Sequence, residues 1–194
     1  MEISVDTIQP EHFESAKQVV KAAFDGAKYT DHDEHNLIGR VRSSENYRSN
    51  FEVVALDDDG QVIGYGMLTP VAVKMNGHKT TILALAPLAV HPDYQSQGVG
   101  SRIIDELESR ATIERYPAIS ILGDPSYYSR FGYVAADNFN ILSTLPVELL
   151  NNMIKPLWDG ALANVAGKIY YPSAFFWLEF LLTSHFQGDM LRHN

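Results

Sequence analysis

The stretch Val90-His91-Pro92-Asp93-Tyr94-Gln95-Ser96-Gln97-Gly98-Val99-Gly100-Ser101 decides how this chain folds. Before it stands an apolar run, residues 80–90, with the weak alternation typical of a strand buried on both faces. After it, Ile103, Ile104, Leu107 and Ala111 recur at helical spacing, and a short apolar run follows at 119–122. A strand–helix–strand unit of this length predicts two parallel strands joined by a right-handed crossover.

The segments around this unit favour antiparallel pairing. Alternating apolar residues at 3–5, 51–56 and 62–73 predict strands, and Asp58-Asp59-Gly60 and Asn76-Gly77 are hairpin signals. Helical patterns begin at Pro10 and around Leu37, and further strands are predicted at 134–142 and 153–158. The sequence therefore predicts an α+β fold, with a mixed, mostly antiparallel twisted sheet, flanking helices and one strand–helix–parallel strand crossover.

Composition excludes several classes of function. The chain has 194 residues and no cysteine, which excludes a thiolate metal site and a cysteine nucleophile. Fifteen basic against 24 acidic residues give a net charge of −9, so we expect neither nucleic acid nor membrane as a partner. The first residues show no basic region followed by an apolar run, so we expect a cytoplasmic protein.

The loop before the helical pattern of Ile103–Ala111 has the features of an anion site. Amide N–H groups at a helix N-terminus attract negative charge, and Gly98 and Gly100 remove side chains that would hold a phosphate away. Ser101 adds a hydroxyl donor. A Walker A loop would need Lys where Ser101 stands, and a dinucleotide fingerprint would need Gly or Ala in place of Ile103.

The remaining pattern, Gln95-x-x-Gly98-x-Gly100, resembles the acetyl-coenzyme A loop of the GNAT N-acetyltransferase superfamily. A second motif, Gly123–Tyr133, resembles the Gly-Asp-Pro-x-Tyr-Tyr-x-Arg-Phe-Gly-Phe pattern of one bacterial branch. The segments Leu85–Val90 and Lys168–Phe175 are similar to that branch as well. The resemblance implies an acyl-CoA N-acyltransferase domain over residues 1–175, followed by a hydrophobic tail over 176–194.

The resemblance also implies how coenzyme would bind. The strand ending at Val90 would separate from strand 119–122, with Pro87 at a bulge, and the pantetheine arm would lie in the opening. The N–H of Leu88 or Ala89 would polarise the thioester carbonyl. Arg130 would meet a phosphate, or else form a surface salt bridge. The implied coenzyme-binding set is Leu88, Ala89, Val90, Gln95, Ser96, Gln97, Gly98, Val99, Gly100, Ser101, Tyr128 and Arg130.

The implied reaction is direct attack of an amine on the thioester. Tyr128 would protonate the leaving thiolate, the alternative being a packed aromatic residue. Residues 83–90 contain no carboxylate to act as base, so His32 or His35 within Asp31–His35 is the candidate proton relay, with His32 preferred, against the alternative of a solvated loop. We expect no metal, because His32 and His35 lack a third ligand.

These features predict an N-acetyltransferase that moves the acetyl group of acetyl-CoA to an amine of a small molecule or peptide. The alternative is a non-catalytic acyl-CoA-binding sensor.

The tail spreads Phe176, Trp177 and Phe180 over more than one helical face. Because soluble monomers avoid large exposed aromatic patches, it predicts a homodimer.

Overall fold

The computed structural model describes residues 2–25 and 33–176. These residues form one nine-stranded sheet with helices on both faces. The strands are β1 Ser4–Thr7, β2 Glu52–Leu56, β3 Val62–Met75, β4 His78–Val90, β5 Ala118–Leu122, β6 Val134–Ala135, β7 Ile141–Ser143, β8 Asn152–Pro156 and β9 Gly167–Tyr170. The α-helices are α1 Phe13–Phe24, α2 Glu34–Arg42, α3 Val99–Ile113 and α4 Pro125–Tyr128. Short 3₁₀ turns occupy Pro10–His12, Ser49–Phe51, Pro92–Tyr94, Ser129–Phe131, Ala136–Phe139, Leu149–Asn151 and Ser173–Phe175.

The strand order is β1-β2-β3-β4-β5-β8-β6, with β9 on the far half of β3 and β7 beside β9. The four N-terminal strands pair antiparallel, and β4 and β5 pair in parallel across α3. The predicted fold class is confirmed. The structure adds a second parallel pair, β7 with β9, which the sequence analysis did not predict.

The prediction of one continuous strand over 134–142 is wrong, because the segment forms two short strands separated by a turn. The turn Ala136–Phe139 separates β6 from β7, and Asn140 takes a left-handed conformation with φ +55°. Asn tolerates that conformation because its short side chain bonds locally. The segment therefore leaves the sheet after Ala135, where β6 pairs with β8, and returns as β7, which pairs with β9.

Helices cover the two faces of the sheet with different parts of the core. The apolar side of α3, with Ile103 and Leu107, packs on β3, β4 and β5. Close contact is possible because Gly64 lies beneath the helix, where a Cβ atom would be 2.7 Å from Val99 and 2.8 Å from Ile103. Helices α1 and α2 pack on the opposite face of β2, β3 and β4.

A buried carboxylate fastens α2 to that opposite face. Glu52 on β2 is fully buried and accepts hydrogen bonds from Arg42 Nε at 2.9 Å, Tyr47 Oη at 2.8 Å and Tyr65 Oη at 2.6 Å. Arg42 Nη2 forms an ion pair with the same carboxylate. Buried charges are tolerated when they are paired and hydrogen-bonded in this way.

No helix of the described ranges is long and apolar enough to cross a bilayer.

Candidate functional site

The parallel strands β4 and β5 separate soon after they meet. They pair only at Leu83 with Ile119 and at Ala84 with Ser120. Beyond Ala84, β4 continues to Val90 along β3, whereas β5 continues to Leu122 along β8. The backbone of residues 85–90 is therefore paired on one side only, and an opening lies between the two strands.

A bulge interrupts β4 within this opening. Gly66 pairs with Leu88 and Leu68 pairs with Leu85, so β4 carries one extra residue between these pairs. The extra length falls at Ala86-Pro87, whose peptide bond is cis. Proline has no N–H to donate, which suits an interruption of the ladder. The irregularity expected at Pro87 is confirmed.

The ladder after the bulge fixes which amides point into the opening. His91 donates its N–H to the Ile63 carbonyl at 2.9 Å, and Ala89 pairs with Tyr65 two residues earlier. Because alternate residues of an antiparallel strand bond to the same neighbour, the amides of Leu88 and Val90 face away from β3. The Val90 carbonyl accepts a hydrogen bond from Gln95 Nε2 at 3.2 Å. Of the two expected carbonyl-polarising donors, Leu88 has its N–H in the opening, whereas the N–H of Ala89 is directed at β3.

The loop from His91 to Gly98 is braced by its own side chains. Gln97 Nε2 donates to the Asp93 carbonyl at 2.9 Å, and Tyr94 Oη donates to Asp57 Oδ2 at 3.2 Å. Together with the bond from Gln95 to Val90, these contacts hold the loop against β4 and the turn between β2 and β3. The side chains of Gln95 and Gln97 thus shape the loop, and Ser96, Gln97 and Gly98 are exposed along it.

Helix α3 begins without a side-chain cap. Gly98 is the N-cap at φ +86°, and a Cβ atom there would meet nothing within 4 Å. The first N–H groups of a helix have no acceptor within the helix. The first turn also carries no acidic residue. The amides of Val99, Gly100 and Ser101 therefore stand at the positive end of the helix dipole, where a phosphate is favoured.

The short helix α4 places two tyrosines on the β5 side of the opening. Asp124 caps it by accepting the Ser126 N–H at 2.8 Å, and Pro125 occupies its first turn. The rings of Tyr127 and Tyr128 meet edge to face at 4.9 Å, and Tyr128 contacts Tyr133 at 6.0 Å.

Tyr128 is held in a position that keeps its proton. Its ring lies over Gly123, where a Cβ atom would be 2.8 Å from Tyr128 Cδ2. Burial raises the pKa of Tyr128 above its ordinary value, and Tyr127 and Asp124 act in the same direction. The hydroxyl therefore keeps its proton at neutral pH and can donate a hydrogen bond.

Tyr127 reaches across to the other side of the opening. A Cβ atom on Gly100 would be 2.5 Å from Tyr127 Oη, so the absence of a side chain at Gly100 makes room for this hydroxyl. Arg130 lies over the Tyr127 ring at 4.5 Å and donates from Nε to the Tyr127 carbonyl at 3.1 Å. The exposed guanidinium is thus fixed beside α4, on the same side as Tyr128.

Two expectations fall on residues outside the described ranges. His32, the preferred proton relay, is one of them, and the aromatic tail beyond Phe176 is the other. The second relay candidate, His35, is half-buried in the first turn of α2. Of the same acidic segment, Asp33 is buried at the start of α2 and forms an ion pair with Arg40 at 2.5 Å. Across residues 2–25 and 33–176, no three His, Asp or Glu side chains are grouped closely enough to hold a metal.

Sequence reasoning missed the buried polar residues around the site. Thr69, Ser120 and Tyr171 carry buried hydroxyls on the face opposite α3, and Glu52 anchors α2. The available signal was a polar residue inside an apolar run, as with Ser120 between Ile119 and Ile121. That signal identifies a buried polar position, but it does not predict the contact partners, because these depend on the register of the sheet.

Comparisons with known proteins agree with this geometry. The family model described as an acetyltransferase (GNAT) domain matches residues 4–136. The uncharacterised N-acetyltransferase YhbS of Escherichia coli strain K12 is 36% identical over 123 residues, which are 63% of this chain and 72% of the relative.

Solved structures extend the similarity to most of the chain. The crystal structure of the GNAT family N-acetyltransferase YhbS from Escherichia coli, in complex with CoA, has a TM-score of 0.79 at 28% identity, covering 92% of this chain and 94% of that one. A GNAT family acetyltransferase from Brucella melitensis, in complex with acetyl-CoA, has the same fold, with a TM-score of 0.73 at 23% identity over 90% of this chain and 99% of that one. The chain belongs to the GNAT acetyltransferase family and is an acetyl-CoA-dependent acyltransferase.

Proposed function

We propose that this protein transfers the acetyl group of acetyl-CoA to an amine of a small molecule or peptide by direct attack. The observation that carries the proposal is the opening between β4 and β5, which has the Leu88 N–H on one wall and Tyr128 beside the other. The solved complex of YhbS with CoA supports coenzyme binding by this fold.

The residues present fit a coenzyme at three points. The uncapped amides of Val99, Gly100 and Ser101 suit its pyrophosphate, because backbone donors bind anions without a basic side chain. The amides of Leu88 and Val90 suit the pantetheine arm, which needs hydrogen-bond partners along an unpaired strand. Bound coenzyme supplies the acyl group as a thioester, and Arg130 is placed to approach a phosphate.

Each remaining role belongs to a group of this chain. The Leu88 N–H polarises the acyl carbonyl, and a fixed backbone donor does this without reorganisation. Tyr128 donates its proton to the departing sulfur, since burial keeps the hydroxyl protonated. The chain has no cysteine to accept the acyl group, so the amine attacks the thioester directly. His32 is the proposed relay for the amine proton.

The decisive experiment separates binding from turnover. Calorimetry with acetyl-CoA measures binding, and a thiol-reactive dye measures free coenzyme A released in the presence of a panel of primary amines. We expect binding, and thiol release that depends on the amine. Absence of binding rejects the site. Binding without thiol release from any amine rejects transfer and indicates an acyl-CoA sensor.

A further inference from the structure

The closed end of the opening carries hydroxyl groups on one face of the sheet. Thr69 on β3 pairs with Ala84 on β4, and Ala84 pairs with Ser120 on β5. Directly paired residues project from the same face, so the two hydroxyl residues flank the small side chain of Ala84. The Ala84–Ser120 pair is the last before β4 and β5 separate.

Tyr171, which follows β9, brings a third hydroxyl to this place. Its pKa is raised by burial and lowered by the nearby hydroxyls of Ser143 and Ser120. It packs in the same core cluster as Ala84. Thr69, Ser120 and Tyr171 thus form one group, which we call the hydroxyl cluster.

The hydroxyl cluster is buried but lacks hydrogen bonds. The exposed fractions of Thr69, Ser120 and Tyr171 are 0%, 1% and 9%. Tyr171 lies close enough to Ser120 and Ser143 for those hydroxyls to lower its pKa, but none of the three hydroxyl oxygens reaches full hydrogen-bond geometry with another group in the part of the chain that the structure describes. Buried polar atoms are rarely left in this state, because the loss of water is then uncompensated. A ligand that enters the opening would supply the missing partners.

The surroundings limit what that ligand can be. On the face toward α3, the same level of the sheet is apolar, with Leu83 and Ile119 in the core. The hydroxyl cluster itself contains no charged side chain, and the buried carboxylate nearest to it on this face, Glu52 opposite Met67, is already paired with Arg42. An ammonium group placed here would lose its hydration without a counter-charge, which is strongly unfavourable. A neutral amine would keep its hydrogen bonds, because hydroxyl oxygens accept N–H groups and hydroxyl protons are donors.

We propose that Thr69, Ser120 and Tyr171 bind the amino group of the acceptor in its uncharged form, at the closed end of the opening. This inference rests on the proposed acetyl transfer. With its N–H groups on hydroxyl oxygens, the nitrogen keeps its lone pair for the acyl carbon. The N–C bond then forms as the C–S bond breaks. Overall the nitrogen loses one proton and the sulfur gains one, so no further reactant is needed.

The acceptor class follows from this site. The enzyme takes primary amines as free bases and excludes their ammonium forms. The fraction of acceptor available at a given pH is therefore set by the basicity of the amine itself. Ethylamine, fluoroethylamine and trifluoroethylamine have nearly the same size and decreasing basicity, so they are suitable probes.

The first test follows kcat/KM against pH for these three amines. We expect each profile to rise with pH and to level off at the pKa of the amine used, so that the rising limb moves to lower pH as fluorine is added. A rising limb at one pH for all three amines would show that a group of the enzyme titrates instead, and would overturn the proposal.

The second test removes single hydroxyls with little change in shape. Thr69→Val and Ser120→Ala should leave acetyl-CoA affinity unchanged. The melting temperature should stay the same or rise, since no hydrogen bond is lost. Each should lower kcat/KM for the amine by about 10-fold or more, the effect of one lost hydrogen bond. The control is Thr144→Val, because the Thr144 hydroxyl does donate to the Ile169 carbonyl at 2.6 Å. This variant should lose stability and keep its kcat/KM for the amine. A lowered melting temperature with unchanged kcat/KM in Thr69→Val and Ser120→Ala would assign the hydroxyls to the fold.

Failure of transfer itself is distinguishable from failure of the site. If the wild-type chain binds acetyl-CoA and acetylates none of the three amines, ethylamine is titrated by calorimetry into protein saturated with coenzyme A at alkaline pH. Binding heat that is lost in Thr69→Val and Ser120→Ala supports the site without turnover. Absence of heat in the wild type overturns it.

Discussion

The hydroxyl of Tyr127 lies 2.5 Å from the position that a Cβ atom would take on Gly100, so α4 and the first turn of α3 touch across the end of the opening. Val90 lies on the same spot, its Cγ2 at 3.6 Å from that position. The glycine of the loop motif is thus explained by an aromatic neighbour as well as by access of an anion. This contact can be tested by pairing two substitutions.

Gly100→Ala should destabilise the protein, because the new methyl group collides with Tyr127 Oη. Tyr127→Phe removes that oxygen, and the next ring atom, Cζ, is 3.8 Å away, which is an ordinary contact. The double variant should therefore recover most of the stability lost in Gly100→Ala. Urea unfolding of the wild type, both single variants and the double variant gives the coupling energy. Additive effects of the two substitutions would show that the two elements do not touch.

Gly98→Val should weaken coenzyme binding beyond its effect on stability. Residue 98 has φ +86°, where an L side chain costs roughly 1–2 kcal/mol. A side chain at residue 98 would also block the approach of a phosphate to the first amides of α3. Gly77→Val is the matched control, since φ is +81° in the hairpin turn at the far end of β3 and β4 and no atom lies within 4 Å. Calorimetry with acetyl-CoA should give a lower affinity for the first variant only. Equal affinities in the two folded variants would move the anion site elsewhere.

Tyr128→Phe should lower turnover by about 100-fold or more, the usual contribution of a general acid. Coenzyme affinity and stability should stay close to wild type, because the ring contacts with Tyr127 and Tyr133 remain. Tyr116→Phe, on a ring that packs on Phe51 near the other end of α3, is the control. Single-turnover rates with a reactive amine measure the chemical step. An unchanged rate in Tyr128→Phe would exclude this hydroxyl from the reaction.

The Glu52 cluster should make stability fall in alkali. Burial and the Glu52 carboxylate raise the pKa of Tyr47 to about 12, and they also raise that of Tyr65. The folded state thus holds these protons more tightly than the unfolded chain, where tyrosine titrates near pH ~10. The contribution of Tyr47 is complete below about pH 10 and is lost as the pH rises toward about 12.

Urea midpoints across this range measure the loss. Tyr47→Phe should lower stability at neutral pH by roughly 1.5–3 kcal/mol, as expected for a lost hydrogen bond to a charged group. Its decline between about pH 10 and 12 should be shallower than that of the wild type. Parallel declines in the two proteins would mean that Tyr47 does not contribute.

The aromatic tail predicts a dimer that two substitutions disrupt. Trp177→Asp combined with Phe180→Asp places charges on the faces that the sequence leaves uncovered. Light scattering should give a dimer for the wild type and a monomer for this variant. A monomeric wild type rejects the prediction, and a dimer in both places the contact elsewhere.

The sequence was informative where one local pattern determines the structure. The apolar run ending at Val90, the glycines of the loop and the helical spacing after Gly98 predicted β4, the loop and α3, because each depends on neighbouring residues alone. Pro87 predicted the interruption of β4, since it lacks an N–H. The direction of the Leu88 amide required the register with β3, which no local pattern contains.

Buried polar partners were beyond local reasoning. Glu52 meets Arg42 from α2 and Tyr65 from β3, which come together only when the sheet and the helices have formed. Thr69 and Ser120 stand in strands that are 51 positions apart in the chain and become neighbours of Ala84 through pairing on both its sides. The sequence gives the identity of such residues, but their contact partners become known only from the folded structure.

The one-sided pairing of residues 85–90 makes this part of β4 an edge strand inside a sheet. Edge strands present unpaired backbone groups that can recruit another chain and begin aggregation. Here the exposed edge is short, it is broken by the Ala86-Pro87 bulge, and one of its carbonyls is covered by the Gln95 side chain. Bound coenzyme would cover the rest of this edge and protect the protein against self-association as well as stabilise its folded state.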